Sequence, residues 1–136
     1  MGEYGQGSQS EVEGDLVRLL NEKEIPVNRT YQRFSGRKNE VNYEFDIIAA
    51  NGEEIVVVEV KTTQKSDAIR HFLSKLEHIK EWIPEFQEKR IYGAVAFIHT
   101  QENVITHAEQ SGLFIIKATG NSASIGNTEG FKPIIY

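Results

Sequence analysis

The sequence of 136 residues contains no cysteine and no long apolar run. Without cysteine the chain forms neither disulfides nor thiolate metal sites. No stretch approaches the ~20 apolar residues that span a bilayer. The first residues also lack the apolar segment of a signal peptide. We therefore expect a soluble, cytoplasmic protein that does not contact membranes.

Positive charge is scarce as well, because 20 acidic residues outnumber 15 lysines and arginines and give a formal net charge of −5. This balance argues against a general binder of polyanions, so any nucleic-acid contact must be local or assisted by metal ions. No glycine-rich loop links a strand to a helix, which excludes phosphate-loop and dinucleotide-binding enzymes. The length suits one domain. We expect residues 10–136 to form it, with residues 1–9 as a disordered lead-in or the cut end of a longer protein.

The chain is organised around residues 43–63, where two apolar runs flank Asn51-Gly52. This dipeptide is typical of a type I′ turn, because both central residues of that turn need positive φ. The pattern predicts a β-hairpin. Centring the hairpin on the dipeptide places Asp46 diagonal to Glu59 across the two strands. Moving the centre by one residue places these carboxylates directly opposite each other.

Three charged side chains, Asp46, Glu59 and Lys61, fall on one face of this hairpin, because side chains alternate along a strand. Glu44 falls there too and has no assigned role. Like charges facing each other destabilise a sheet, and a cation between them reverses that effect. Mg²⁺ is typically held by one or two carboxylates together with substrate phosphate. The pattern therefore predicts a magnesium site, with Mn²⁺ as the alternative ion.

Asp46 and the Glu59-Val60-Lys61 triplet resemble the motif of the PD-(D/E)XK nuclease superfamily, whose fold restriction endonucleases and Holliday-junction resolvases share. Phe45 stands where the motif's name has proline. The sequence is similar to uncharacterised bacterial members of cyanobacterial type over about residues 11–136. The stretches that carry this likeness are residues 44–47, 56–61, 93–96 and 112–116.

The resemblance implies a function for each residue of the motif. Asp46 and Glu59 would ligate the metal together with the backbone carbonyl of Val60. Lys61 would orient or help deprotonate the attacking water and stabilise developing negative charge. The superfamily often supplies a further acid from its first helix.

That first helix is predicted to begin at a cap, Ser8 or Ser10, and to end near residue 23. Its apolar residues form one buried stripe of Val12, Leu16, Leu19 and Leu20. Glu13 falls on the edge of this stripe and is the first candidate for the additional acid, while Glu11 is the second. The alternative is a solvated helix flank, where acids near the N-terminus interact favourably with the helix dipole.

Residues 27–34 read as an edge strand, because neither of its faces is purely apolar, and residues 35–42 read as a polar loop. The densest basic cluster of the chain lies here: Arg29, Arg33, Arg37 and Lys38. Such a cluster beside a metal site suits contact with a phosphate backbone. Equally, charge on an edge strand protects it from aggregation.

The second half alternates helices and strands. A long amphipathic helix opens near residue 66 and is ended or kinked by Pro84, with His71 and His78 off its apolar stripe as surface residues. Residues 91–99 form a strand buried on both faces, and residues 102–111 form a helix that Gly112 stops. Residues 113–118 form another strand, and residues 121–125 form a weak one. The order α-β-β-β-α-β-α-β predicts an α/β fold, a mixed central sheet flanked by helices, which is the restriction-endonuclease-like order.

Two functions remain. The first is a metal-dependent endonuclease that hydrolyses phosphodiester bonds in DNA. We expect it to act as a homodimer or within a longer protein or complex, because a lone site cuts only one strand. The second is a catalytically inactive module of the same fold that binds nucleic acid or protein.

Overall fold

The computed structural model describes residues 2–136, with side chains described from residue 9 onward. The elements in chain order are α1 (Gly2–Glu22), β1 (Arg29–Lys38), β2 (Val41–Ala50), β3 (Glu54–Thr63), α2 (Ser66–Trp82), β4 (Arg90–His99), α3 (Glu102–Gln110), β5 (Phe114–Thr119) and β6 (Ser122–Ile125). A short 3-10 helix, Pro84–Phe86, follows α2. This order confirms the predicted succession of helices and strands, including the end of the long helix before Pro84.

The six strands form one mixed sheet in the order β1-β2-β3-β4-β5-β6. The β1-β2, β2-β3 and β5-β6 pairs are antiparallel, whereas β4 runs parallel to both β3 and β5. Helix α1 packs on one face of the sheet, and α2 and α3 pack on the other. The predicted α/β class with a helix-flanked mixed sheet is therefore confirmed.

Burial on both faces explains the strongly apolar β4, in which seven consecutive residues from Ile91 to Phe97 are buried. A Cβ atom on Gly93 would overlap the side chains of Leu76 and Leu113, so glycine lets α2 approach the sheet closely. Gly112 has a φ of 81° and directly follows the last turn of α3, as predicted for a helix-stopping glycine.

The predicted loop at residues 35–42 is wrong. Strands β1 and β2 continue through this segment and pair as far as Lys38 with Val41, so only Asn39 and Glu40 form the turn. Both turn residues have positive φ, 50° and 66°. Asparagine is often found with positive φ, but glutamate is not. The Asn39-Glu40 pair therefore does not predict a hairpin turn from the sequence. The prediction that β1 lies at a sheet edge is confirmed.

The hairpin of β2 and β3 is confirmed, but its predicted type I′ turn is wrong, because neither Asn51 nor Gly52 has positive φ. Instead, the Asn51 side-chain oxygen Oδ1 accepts hydrogen bonds from the backbone N–H groups of Glu53 and Glu54, each at 2.8 Å. Ala50 pairs with Ile55, so the hairpin is centred between Gly52 and Glu53, one residue further along the chain than the middle of the dipeptide. This register agrees with the second predicted one, in which Asp46 faces Glu59 directly.

Helix α1 begins at Gly2, so its predicted start at Ser8 or Ser10 is wrong. Its apolar stripe is confirmed, since Val12, Leu16, Leu19 and Leu20 are all buried. The division of the chain at residue 10 stays a prediction. Within the described part of the chain, no helix is both long enough and apolar enough to cross a membrane.

Candidate active site

Strand β2 separates from β3 at Asp46. The ladder between them runs from Ala50–Ile55 to Ile47–Val58 and then stops. Continued in the same register, it would bring Phe45 opposite Val60. Instead the backbone N–H of Val60 donates to Oδ2 of Asp46 at 2.8 Å. The carboxylate thus takes a place beside the backbone of β3 at the point where the two strands part.

The two-stranded ribbon formed by β1 and β2 also twists at this point, so that its two faces exchange sides. Phe45 and Ile48 both pack in the core on the α2 side, although strict alternation would put them on opposite faces. Across from Asp46, Arg33 has a φ of 51°, a left-handed backbone that is uncommon for arginine. The turned ribbon places Tyr43 and Phe45 against Trp82 of α2, with ring centroids 5.8 and 6.4 Å away.

A cleft of about 580 Å³ opens between this ribbon, β3 and α2. The structure brings the predicted residues Asp46, Glu59 and Lys61 together there, and Glu44 lines the same cleft. Helix α2 supplies the opposite wall through His71, Ser74, Lys75, His78 and Trp82. The two histidines are exposed, as expected, but they face the cleft.

Glu59 is the most buried of the charged residues in the cleft, at 8% exposure. Burial raises the pKa of its carboxyl group above the ordinary value of 4.5, and the negative charge of Asp46 acts in the same direction. Lys61 and Lys75 oppose that rise. Its Oε2 atom is buried and has no hydrogen-bond partner in the described structure. A buried, unpaired carboxylate oxygen is costly unless a cation compensates it.

Lys75 is a residue of the cleft that the sequence did not reveal. Its ammonium group donates to the backbone carbonyl of Glu44 and lies 4.6 Å from the centroid of the Phe45 ring. It therefore ties α2 to the ribbon while adding a second positive charge near Glu59. Helical spacing could have grouped Lys75 with His71 and His78, but nothing in the sequence shows that the ribbon crosses that flank of α2.

Glu13 and Glu11 do not line the cleft. The Glu13 carboxylate accepts hydrogen bonds from Thr30, at 3.1 Å, and from Gln32, both on β1. Gln9 of α1 does contact a residue of the cleft, since its side-chain amide donates to the backbone carbonyl of Asp46 at 3.2 Å.

The candidate metal ligands in the cleft are carboxylate oxygens, which suit a hard cation, but they are few. Among residues 9–136 there is no group of three or more histidine, aspartate or glutamate side chains placed to hold a metal. Asp46 and Glu59 provide two carboxylates, and a cation would satisfy the Oε2 atom of Glu59, which has no partner among those described side chains. Because Mg²⁺ keeps several waters and uses one or two carboxylates, this set fits Mg²⁺.

The four basic residues lie along β1, outside the cleft. Arg37 lines a shallow hollow that shares Tyr43 and Glu44 with the cleft. Arg29 lines a separate groove on the same face of the sheet.

The model of a family described as a domain of unknown function, DUF8196, matches residues 18–125. The chain belongs to the DUF8196 family. The matched part of this DUF8196 domain contains Asp46, Glu59 and Lys61, while Gln9 and Glu13 precede it. No curated protein matches the sequence.

Solved structures resemble this DUF8196 domain at low sequence identity. SPO1766 from Silicibacter pomeroyi has a TM-score of 0.51 at 12% identity, over 95% of this chain and 73% of that one. A repair endonuclease from Pyrococcus abyssi has a TM-score of 0.51 at 16% identity, over 84% of this chain and 47% of that one. AF1548 has a TM-score of 0.48 at 16% identity, over 74% of this chain and 53% of that one. The likeness to the Pyrococcus abyssi structure shows that the DUF8196 domain has a restriction-endonuclease-like fold. The chain spans about half the length of two of these relatives.

Proposed function

We propose that this protein is a metal-dependent endonuclease of the PD-(D/E)XK superfamily that hydrolyses phosphodiester bonds in DNA. One observation carries the proposal. Asp46, Glu59 and Lys61 meet in a single cleft where β2 and β3 part, and the buried Oε2 of Glu59 has no hydrogen-bond partner among residues 9–136. A cross-strand ion pair on an exposed sheet face would leave no such oxygen buried.

In this proposal, Asp46, Glu59 and the backbone carbonyl of Val60 hold Mg²⁺ or Mn²⁺. A bound ion of this kind polarises the phosphate and lowers the pKa of water. The bond from the Val60 N–H fixes the Asp46 carboxylate beside the same peptide segment that offers the carbonyl. Strand-borne ligands of this kind are held rigidly, which suits a site that must keep its geometry.

Lys61 is the catalytic cation. It is exposed within the cleft, two residues after Glu59 on the same face of β3. From there its ammonium group would orient the attacking water, favour loss of the water's proton through its positive charge and stabilise the charge that develops on the phosphate. Lys75 acts as a positioning residue, because its ammonium group is bound to the Glu44 carbonyl.

The additional acid from the first helix stays a prediction. For Glu13 to serve in this way, its carboxylate would have to leave Thr30 and Gln32. The proposed chemistry does not require that movement. Gln9 instead supports Asp46 through its backbone carbonyl.

DNA is the proposed substrate, with Arg29, Arg33, Arg37 and Lys38 as candidate phosphate contacts along the exposed edge β1. Their positive charge lies on the strand next to the one that carries Asp46. The Pyrococcus abyssi relative is a repair endonuclease, but its likeness supports the fold alone. A homodimer, or assembly with a longer partner, stays a prediction.

The alternative is an inactive module of this fold that binds nucleic acid or protein. The net charge of −5 and the small donor set favour it. Metal binding separates the two proposals, since only the nuclease needs Mg²⁺ or Mn²⁺ in the cleft.

The test is cleavage of single-stranded, duplex and branched DNA in Mg²⁺, Mn²⁺ or EDTA. Wild type is compared with Lys61→Ala and with Lys23→Ala, a matched change at an exposed lysine at the end of α1. The proposal expects metal-dependent cutting by wild type and Lys23→Ala that Lys61→Ala loses. Cutting that survives Lys61→Ala, or wild type that neither cuts nor binds metal, would overturn it.

A further inference from the structure

An aromatic groove lies on the same face of the sheet as the cleft, between the start of β1 and the 3-10 helix. It encloses about 310 Å³. Tyr31, Phe34 and Phe86 line it, with Arg29 and Lys89 among the lining residues. Tyr31 is 45% exposed, so its ring is accessible from solvent.

Aromatic residues also lie on the ribbon between the groove and the cleft. Phe34 stacks on Phe86 with centroids 5.9 Å apart, and Tyr31 meets Phe34 edge-on at 6.3 Å. Phe34 pairs across the ribbon with Phe45. Phe45 in turn contacts Trp82, which lines the cleft. Paired strand positions and ring contacts therefore place aromatic residues at intervals between the exposed Tyr31 and the cleft.

The groove's charge is positive although the protein is acidic overall. Arg29 and Lys89 outnumber the single acid that lines it, Glu85. Arg29 also donates through Nε to the Tyr31 hydroxyl at 3.1 Å, which holds the guanidinium beside the ring. Flat rings flanked by cations are the combination with which proteins bind single strands, since the bases stack and the phosphates pair with positive charge.

We propose that this groove binds the bases of an unpaired DNA strand whose backbone passes through the cleft. The inference rests on the proposed nuclease function and specifies its substrate as single-stranded or locally unpaired DNA. Bases within a duplex are stacked on each other and do not offer their faces to Tyr31. An apolar peptide would also fit aromatic walls, but it would not need the two cations.

Binding in EDTA tests the groove separately from cleavage. Fluorescence anisotropy would measure the affinity of the full chain for a labelled oligothymidylate strand, an abasic strand of equal length and a duplex. Wild type is compared with Tyr31→Ala, Tyr31→Leu and Tyr31→Phe. Circular dichroism melting would identify any variant that fails to fold, and Tyr31→Leu retains apolar bulk if alanine proves too disruptive.

We expect Tyr31→Ala and Tyr31→Leu to weaken binding of the oligothymidylate at least about fivefold, as for the loss of one stacked base. Tyr31→Phe should bind like wild type, because the ring remains. Affinity for the abasic strand and the duplex should not change. Equal losses for all three DNAs, or none for the oligothymidylate, would overturn the inference.

The two proposals fail separately. If the protein cuts DNA in the presence of metal but its affinity for the oligothymidylate does not depend on Tyr31, only the proposal for the groove is overturned. Single-strand binding that depends on Tyr31, in a protein that neither cuts DNA nor binds metal, supports the groove as a binding surface and overturns the nuclease.

Discussion

The carboxylate of Asp46 accepts a hydrogen bond from the backbone N–H of Val60, with 2.8 Å between Oδ2 and the nitrogen. The side chain thereby satisfies a strand N–H at the place where the β2-β3 ladder ends. Asp46 has a structural task here as well as its proposed task as a metal ligand. Two substitutions at Asp46 distinguish the structural role from the proposed metal-binding role.

Asp46→Asn retains an oxygen for the Val60 N–H, whereas Asp46→Ala leaves that donor without its partner. We expect the alanine variant to be less stable by about 1–3 kcal/mol and the asparagine variant to be close to wild type. Both should lose stabilisation by Mn²⁺, which for wild type is about 2.7 kcal/mol at a hundredfold excess over Kd. Thermal melts with and without Mn²⁺ measure both effects. An asparagine variant that Mn²⁺ stabilises as strongly as wild type would contradict the ligand assignment.

Glu59→Gln tests the cost of the buried carboxylate. Burial is the main cause that raises the pKa of Glu59 above 4.5. The folded state therefore holds this proton more tightly than the unfolded state, and stability falls as pH rises from about 4.5 through the folded-state pKa. In EDTA we expect Glu59→Gln to lack that fall and to be more stable than wild type at neutral pH.

Urea unfolding at several pH values between 4 and 8 checks this expectation. Glu53→Gln, at an exposed carboxylate in the β2-β3 turn, serves as the control. If wild type instead gained stability relative to Glu59→Gln as pH rises, the prediction would be contradicted. The attraction of Lys61 and Lys75 for the Glu59 carboxylate would then outweigh the cost of its burial.

Arg33 holds a left-handed backbone within a strand, with a φ of 51°. Arg33→Gly should be nearly neutral, because glycine adopts this conformation freely but loses more chain entropy on folding. Arg33→Val should cost about 1–2 kcal/mol, since a β-branched residue is strained there. Arg37→Val, an exposed position of the same strand without positive φ, is the matched control. Equal melting temperatures for the two valine variants would show that Arg33 is not strained.

Periodicity predicted those parts of the fold where each element obeys its own repeat. The stripe Ile69, Phe72, Leu76 and Ile79 is buried as a 3.6-residue pattern requires. Alternation along β3 also placed Glu59 and Lys61 in one cleft. These features depend on neighbours within one element, so the sequence contains the information.

The errors arose where one segment meets another. Nothing about Arg33 or Glu40 signals positive φ, so neither the turned ribbon nor its terminal hairpin could be read. The partners of Glu13, Thr30 and Gln32, lie 17 and 19 residues away and depend on how α1 crosses β1. Lys75 enters the cleft only because the turned ribbon crosses α2.

Gly36 is required because the ring of Tyr43 lies across it on the neighbouring strand. A Cβ atom there would overlap the Tyr43 hydroxyl and stand 2.6 Å from Cζ of the ring. Tyr43 cannot move freely, since it stacks on Trp82 at 5.8 Å with an angle of 4° between the rings. Gly36→Ala should therefore displace Tyr43, loosen the wall of the cleft and cost about 1–3 kcal/mol.

The sequence has one tryptophan, so intrinsic fluorescence reports directly on this stack. Gly36→Ala should shift the Trp82 emission and lower the melting temperature. Gly52→Ala is the control, because no atom lies within 4 Å of its added Cβ. If Gly36→Ala changes neither emission nor stability, the ribbon can shift away from α2 at little cost. The cleft wall would then adjust to what it binds instead of being fixed in advance, and Mn²⁺ affinity would survive the substitution.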